Sequence, residues 1–148
     1  MSNLFNTPFE TGLRVMLLLS VVSPKSMTID RITAYDFMTI YGKDFDMSEK
    51  NLHGDNSLSF SELSSKREIC ADGIKMFVLD GLIAINRTQA GFLYMLTSAG
   101  RKYVSTLNSD YKLQYLQIAK KVHKKYSRQS DTAILKAISA KAVQSLRR

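Results

Sequence analysis

Few residues of this chain have types and spacings that could do chemistry. The two histidines, His53 and His123, lie far apart, and neither has Cys, His, Asp or Glu neighbours at metal-ligand spacing, so no metal site is expected. Cys70 is the only cysteine, which excludes an intramolecular disulfide and a thiolate cage and fits a reducing compartment. It falls in a helical pattern and reads as a small packed residue. No serine sits in a nucleophile-elbow pattern, and no glycine-rich phosphate cradle is present. Catalytic residues and cofactors are therefore not expected, and the chain does not read as an enzyme. Two groups remain. Asp30, Arg31 and Asp36 share one short segment and form either a polar cluster or surface ion pairs. Lys120, Lys121, Lys124, Lys125 and Arg128 recur at helical spacing, a pattern suited to phosphates or an acidic protein surface.

The overall balance sharpens the second group. Net charge is +8 over 148 residues. From Arg101 onward there are 12 Lys and Arg against only Asp110 and Asp131, whereas the preceding residues carry 9 basic and 11 acidic groups. A near-neutral body thus precedes a basic carboxyl-terminal third, and the expected division is 1–108 and 109–148. Hydrophobic content of 45% suits a soluble globular chain with a sizeable core. The longest apolar run near the amino terminus, Val15 to Leu19, is far short of the roughly 20 residues a membrane span needs. No basic lead-in precedes it. A cytoplasmic protein without membrane contact is expected.

The elements that would position these groups are announced by caps. Thr7 and Glu10 have capping-box spacing and Pro8 falls at the first helical position, predicting a helix from Pro8 to about Val22. Its inner stripe would hold Phe9, Leu13, Met16, Leu17 and Ser20-Val21, with Arg14 off the edge. A second helix is predicted from Ile29 to Tyr41, capped by Ser26 or Thr28; Tyr35, Phe37 and Tyr41 around its circumference imply burial on more than one side. Lys43 to Ser59, with a turn at Asp55-Asn56, reads as a long polar loop, a kind uncommon in compact domains unless it binds something or is disordered. Ser65 and Glu68 predict the start of a third helix that closes at Asp80-Gly81, with Ile69, Met76 and Phe77 inward and Gly73 allowing a close approach.

Two apolar strands, 82–86 and 92–96, flank a five-residue turn from Arg87 to Gly91 and predict a β-hairpin. Thr97 caps a following helix, Ser109-Asp110 caps one from Tyr111 to about Tyr126, and Ser130-Asp131 starts a last amphipathic segment with Ile134, Leu135, Ile138 and Leu146. On the Tyr111–Tyr126 wheel, Tyr115, Leu116, Ile118, Ala119, Val122 and Tyr126 share one side and the five cations the other; Lys112 and Leu113 break the pattern. The fold class is mainly α with a small β-hairpin: a winged helix-turn-helix domain followed by C-terminal amphipathic helices. Glu68 and Asp72 on the outward side of the third helix, beside Lys75 and after Lys66 and Arg67, make a poor DNA reader.

Several segments also resemble a known family. Asn6-Thr7-Pro8-Phe9-Glu10-Thr11-Gly12-Leu13-Arg14 and Ile29-Asp30-Arg31-Ile32-Thr33-Ala34-Tyr35-Asp36-Phe37 are similar to the middle component of bacterial ABC-three-component systems. So are Asn51-Leu52-His53-Gly54, Phe60-Ser61-Glu62-Leu63 with Lys66-Arg67-Glu68, and Gly81-Leu82-Ile83. The resemblance spans about Asn6 to Gly100 and leaves the basic tail outside. Such systems, similar to Lamassu anti-phage defence, pair a small subunit with an SMC-type ATPase and an effector, often a nuclease. The resemblance implies a non-catalytic adaptor docking its winged helix on the ATPase. It makes Arg14, Asp30, Arg31, Tyr35 and Asp36 candidates for partner contact or for a polar cluster within the fold. In the latter case Arg14 would pair with Asp30 or Asp36. The alternatives are an autonomous winged-helix transcriptional regulator and a free-standing toxin-antitoxin or phage-related interaction protein without an ATPase.

Overall fold

The second helix forms the centre of the molecule, because residues Ile32 to Ile40 are buried without a break. Such a helix needs partners all round, and in the computed structural model it packs against four others. The model describes residues 7–54 and 61–146, with side chains for 7–54 and 62–144. The elements are α1 (Pro8–Val22), α2 (Ile29–Ile40), α3 (Ser61–Leu79), β1 (Ile83–Thr88), β2 (Gly91–Leu96), α4 (Ser98–Thr106), α5 (Asp110–Tyr126) and α6 (Asp131–Leu146). The fold is mainly helical with one small antiparallel hairpin. The expected turn at Asp55-Asn56 lies outside the described residues, and the Leu146 side chain outside the described side chains.

Four caps form as the sequence predicts. Thr7 Oγ1 accepts from the Glu10 N–H at 3.1 Å and Thr28 Oγ1 from the Arg31 N–H at 3.1 Å, which decides for Thr28 over Ser26. Thr97 and Ser109 accept from the Gly100 and Lys112 N–H groups at 2.9 and 3.1 Å. α2 stops at Ile40, with Tyr41 as its C-cap.

Four boundaries or faces differ from expectation. α3 already includes Ser61, so Ser65 is no cap. Long-range contacts hold the added turn, where Leu63 is buried and the Tyr41 hydroxyl donates to both Glu62 carboxylate oxygens at 2.7 and 2.9 Å. The strands run to Thr88 and start at Gly91, leaving two residues in the turn where five were expected. There the Thr88 hydroxyl donates to the Gly91 carbonyl at 2.8 Å, and Gly91 takes a φ of +114° that favours glycine. In α1, Phe9 is 45% exposed and Arg14 only 3%, the reverse of the predicted wheel. α2, α3 and α5 all pack on α1, so its Arg14 side has no water to face. Met76 of α3, expected inward, is 40% exposed.

α1 and α3 cross where both carry glycine. A Cβ on Gly73 would lie 2.5 Å from the Pro8 carbonyl oxygen and 2.8 Å from the Gly12 nitrogen. Phe77, one turn on, closes over Gly12 and meets the Phe9 ring at 5.8 Å between centroids. Lys112 breaks the α5 pattern for a local reason. Its ammonium donates to the Val104 and Leu107 carbonyls at 2.7 and 2.8 Å and so satisfies the end of α4. The hydrophobic core continues into the last helices, with Tyr115, Ile118, Val122, Ile134 and Ile138 in the same buried cluster as Val15, Leu18 and Phe37.

Candidate functional site

The five candidate polar residues separate into three places. Arg14 and Asp36 meet in the core, where Nε and Nη2 of Arg14 donate to the two Asp36 carboxylate oxygens at 2.9 and 3.2 Å. Of the two partners considered for Arg14, Asp36 is therefore the one observed. The Tyr115 hydroxyl donates to Asp36 Oδ1 at 2.5 Å, the Lys66 ammonium lies 3.8 Å from Oδ2, and Arg14 also reaches Thr11 Oγ1 at 3.2 Å. Lys66, placed by the sequence at the entry to the third helix, is 7% exposed, because Asp36 draws it inward. Burial alone would push the Asp36 carboxyl up. The Arg14 guanidinium and the Lys66 ammonium, with hydrogen bonds from Arg14 and Tyr115, outweigh it and hold the carboxyl down at about 2. Burial and the neighbouring Asp36 charge push the Tyr115 hydroxyl well up, so it stays a proton donor. The cluster thus joins α1, α2, α3 and α5 through one ionised carboxylate.

Arg31 and Tyr35 belong to a second cluster. Arg31 Nε donates to Asp131 Oδ1 at 2.8 Å, its Nη1 to the Tyr126 carbonyl at 3.3 Å and its Nη2 to the Gln129 carbonyl. The Thr28 hydroxyl donates to Asp131 Oδ2 at 2.7 Å, and the Tyr35 hydroxyl lies 3.0 Å from His123 Nδ1. One guanidinium thereby ties the α5–α6 turn to α2. Asp30 stands apart from both. It takes 2.8 Å from Arg67 Nε on the surface, with both side chains about half exposed, and such a pair contributes little. Tyr115, Lys66, Asp131 and His123 were not singled out for these clusters, since each depends on a partner distant in sequence.

Burial works against the charged form of both histidines. His53 Nε2 lies 2.6 Å from the Tyr111 hydroxyl, and burial, reinforced by the Arg14 charge, lowers its pKa from 6.5 to about 4. Burial and the Arg31 and Lys25 charges also lower that of His123. Between pH 6.5 and about 4 the unfolded chain binds a proton at His53 that the folded chain does not, so stability falls as pH falls through that window. Acidification from pH 7.5 to 5 is expected to lower the melting temperature, by about 1–3 kcal/mol of stability. His53→Gln removes a large share of that dependence. An equal pH slope in the variant and the parent would show that His53 titrates freely.

Lys120, Lys121, Lys124, Lys125 and Arg128 are all exposed, as the wheel predicts. Tyr115, Ile118, Ala119, Val122 and Tyr126 are buried on the opposite side, with Leu116 half-buried. None of the five cations forms an ion pair among the described residues. Cys70 is buried, and burial pushes its thiol up to about 12, far from a nucleophile's range. Among the described residues no three His, Cys, Asp or Glu converge to hold a metal, and no helix is long and apolar enough to cross a membrane.

The model of the family described as ABC-three component (ABC-3C) system Middle Component 2 matches residues 4–148. The chain belongs to this family. The match runs through the basic helices, beyond the Asn6–Gly100 stretch whose motifs carried the resemblance. This middle component is thus one part of a multi-component system, and its α5 and α6 lie inside the family pattern. No curated protein and no solved structure matches the chain.

Proposed function

We propose that this ABC-3C middle component is a non-catalytic adaptor of a cytoplasmic anti-phage defence complex. It docks on an SMC-like ATPase, links it to an effector such as a nuclease, and touches DNA through the basic face of α5. The observation that carries this reading is the match of nearly the whole chain to the middle-component family. The element order of three helices, a hairpin and a helix supports a winged helix-turn-helix reading of 1–108, with 109–148 as its basic extension.

The hairpin supplies a docking surface. Its register puts Ile83, Ile85 and Arg87 on one face with Leu96, Tyr94 and Phe92. That face is buried at the base and open at the tip, where Ile85 and Phe92 are about half exposed and Arg87 lies over the Phe92 ring at 5.6 Å. The Tyr94 N–H and C=O both bond to Met27 at 2.9 Å, so the backbone groups of Ile85, opposite Tyr94, point to the outer edge of β1. An apolar tip beside an open strand edge suits a protein partner. The regulator reading is disfavoured because α3 presents Glu68 and Asp72, both exposed, where phosphates would lie.

Co-expression with the ATPase and effector of the same system tests the reading. The pair Ile85→Lys and Phe92→Ser is expected to lower ATPase recovery at least about tenfold while duplex DNA binding persists. Lys120, Lys121, Lys124 and Lys125 all changed to Glu is expected to do the opposite. Recovery of DNA without any ATPase by the parent protein would overturn the adaptor and favour the regulator.

A further inference from the structure

The segment between α2 and α3 is a built structure where it is described. Phe45 and Met47 are buried, the Met47 N–H donates to the Gly42 carbonyl at 2.7 Å, and the Leu52 N–H donates to the Ile40 carbonyl at 3.1 Å. Asn51 ties it together, accepting from the Lys43 N–H and donating to Asp44, both at 3.0 Å. Asp46 adopts a φ of +60°. Lys121 of α5 reaches across and donates to the Met47 carbonyl at 3.2 Å. Between this segment and α5 runs an open groove of about 1070 Å³.

The two walls have a definite charge pattern. The α5 wall carries Gln114, Gln117 and Lys121 and no carboxylate. The opposite wall carries Lys43 and Lys50, both exposed and without an ion-pair partner among the described residues. Of the two carboxylates there, Asp46 lies 3.7 Å from the Lys141 ammonium of α6, which leaves Glu49 as the only unpaired one in the lining. We propose that Lys43 and Lys50 form a second row of phosphate contacts, facing Lys121 of α5 across the groove, and that the ligand is duplex DNA lying over it.

Two arguments support the duplex. The lining holds no aromatic side chain, and binding of single strands relies on aromatic platforms for unstacked bases. Contacts to the backbone alone are sequence-independent and need only cations held at fixed positions. The hydrogen bonds within the segment supply that fixity before DNA arrives, so little ordering remains to be done on binding. This inference rests on the reading of α5 as a DNA-contacting face and extends its footprint.

Fluorescence anisotropy with a labelled duplex of random sequence, titrated at several salt concentrations, tests it on the full chain. Each phosphate contact contributes about −0.9 to the slope of log K against log salt, so Lys43→Gln with Lys50→Gln is expected to flatten the slope by about 1.8. Lys75→Gln on α3 is expected to leave it unchanged. A parental slope in the double variant, with binding still lost when the four α5 lysines become Glu, overturns the second row and keeps the α5 face. No duplex binding by the parent protein at low salt overturns both. Tighter binding of a single strand of equal length than of the duplex overturns the choice of ligand.

Discussion

Asp36→Asn is expected to lower the free energy of unfolding by about 3–5 kcal/mol, the usual cost of removing one partner from a buried ion pair. The substitution keeps the shape of the side chain and removes its charge. It leaves the Arg14 guanidinium and the Lys66 ammonium inside a core where Asp36 was fully buried and Arg14 only 3% exposed. It also weakens the short bond from Tyr115, which then meets a neutral amide. Urea denaturation followed by circular dichroism reads the loss as a lower midpoint at unchanged slope. Arg14→Met combined with Asp36→Leu is expected to recover part of it, since a well-packed apolar pair avoids the desolvation of both charges. Recovery is incomplete because Tyr115 and Lys66 then lack their acceptor. Acid acts on the same carboxylate. Its folded pKa of about 2 lies below its ordinary 3.8, so its contribution is complete above about pH 4 and fades as pH falls towards 2. A midpoint within experimental error of the parent for Asp36→Asn would mean that water reaches the pair.

Gly73→Ala is expected to destabilise, by about 1–3 kcal/mol, although alanine is intrinsically the better helix residue by about 1 kcal/mol. The sign decides between local propensity and tertiary packing. An added Cβ would meet backbone, namely the Pro8 carbonyl oxygen at 2.5 Å and the Gly12 nitrogen and Cα at 2.8 and 2.9 Å. Backbone cannot swing aside as a side chain does, so α1 would have to move bodily away from α3. That movement also disturbs Arg14, two residues beyond Gly12 at the crossing. Gly12→Ala is the informative control. Its closest contacts are ring atoms of the Phe77 side chain, at 2.5 and 2.7 Å, with backbone, the Gly73 carbonyl oxygen, only third at 3.0 Å. It is therefore expected to cost less than Gly73→Ala in thermal melts. Stabilisation by Gly73→Ala would show that the two helices do not cross so closely.

The parts of this fold that were legible in the sequence are those whose causes are local. Thr7, Thr28, Thr97 and Ser109 each cap a helix by a bond to the residue three positions on, so type and spacing were sufficient. The α5 wheel was legible because Lys120, Lys121, Lys124 and Lys125 all lie on its exposed side. The start of α3 was not, since Glu62 is held by Tyr41 from another element. The same holds for the site. Pairing of Arg14 with an acid on α2 could be anticipated, but its burial could not, because a charge on a helical wheel reads as outward. The grouping of Arg31 with Asp131 joins residues about a hundred positions apart, and no spacing rule reports it. The acidic surface of α3 and the basic surface of α5 needed only counting.

The completion of Asp36 by Tyr115 bears on the order in which the chain can become a protein. Arg14 and Asp36 are made early, but the hydroxyl that finishes their bonding arrives on a helix that starts at Asp110, with Ile118 and Val122 to roof the same interior. A nascent chain that stops short of α5 keeps an unfinished, half-wet interior with its charges in place, the condition in which partly folded chains aggregate or are degraded. The helix that carries the basic surface is thus also the one that completes the bonding of the buried carboxylate.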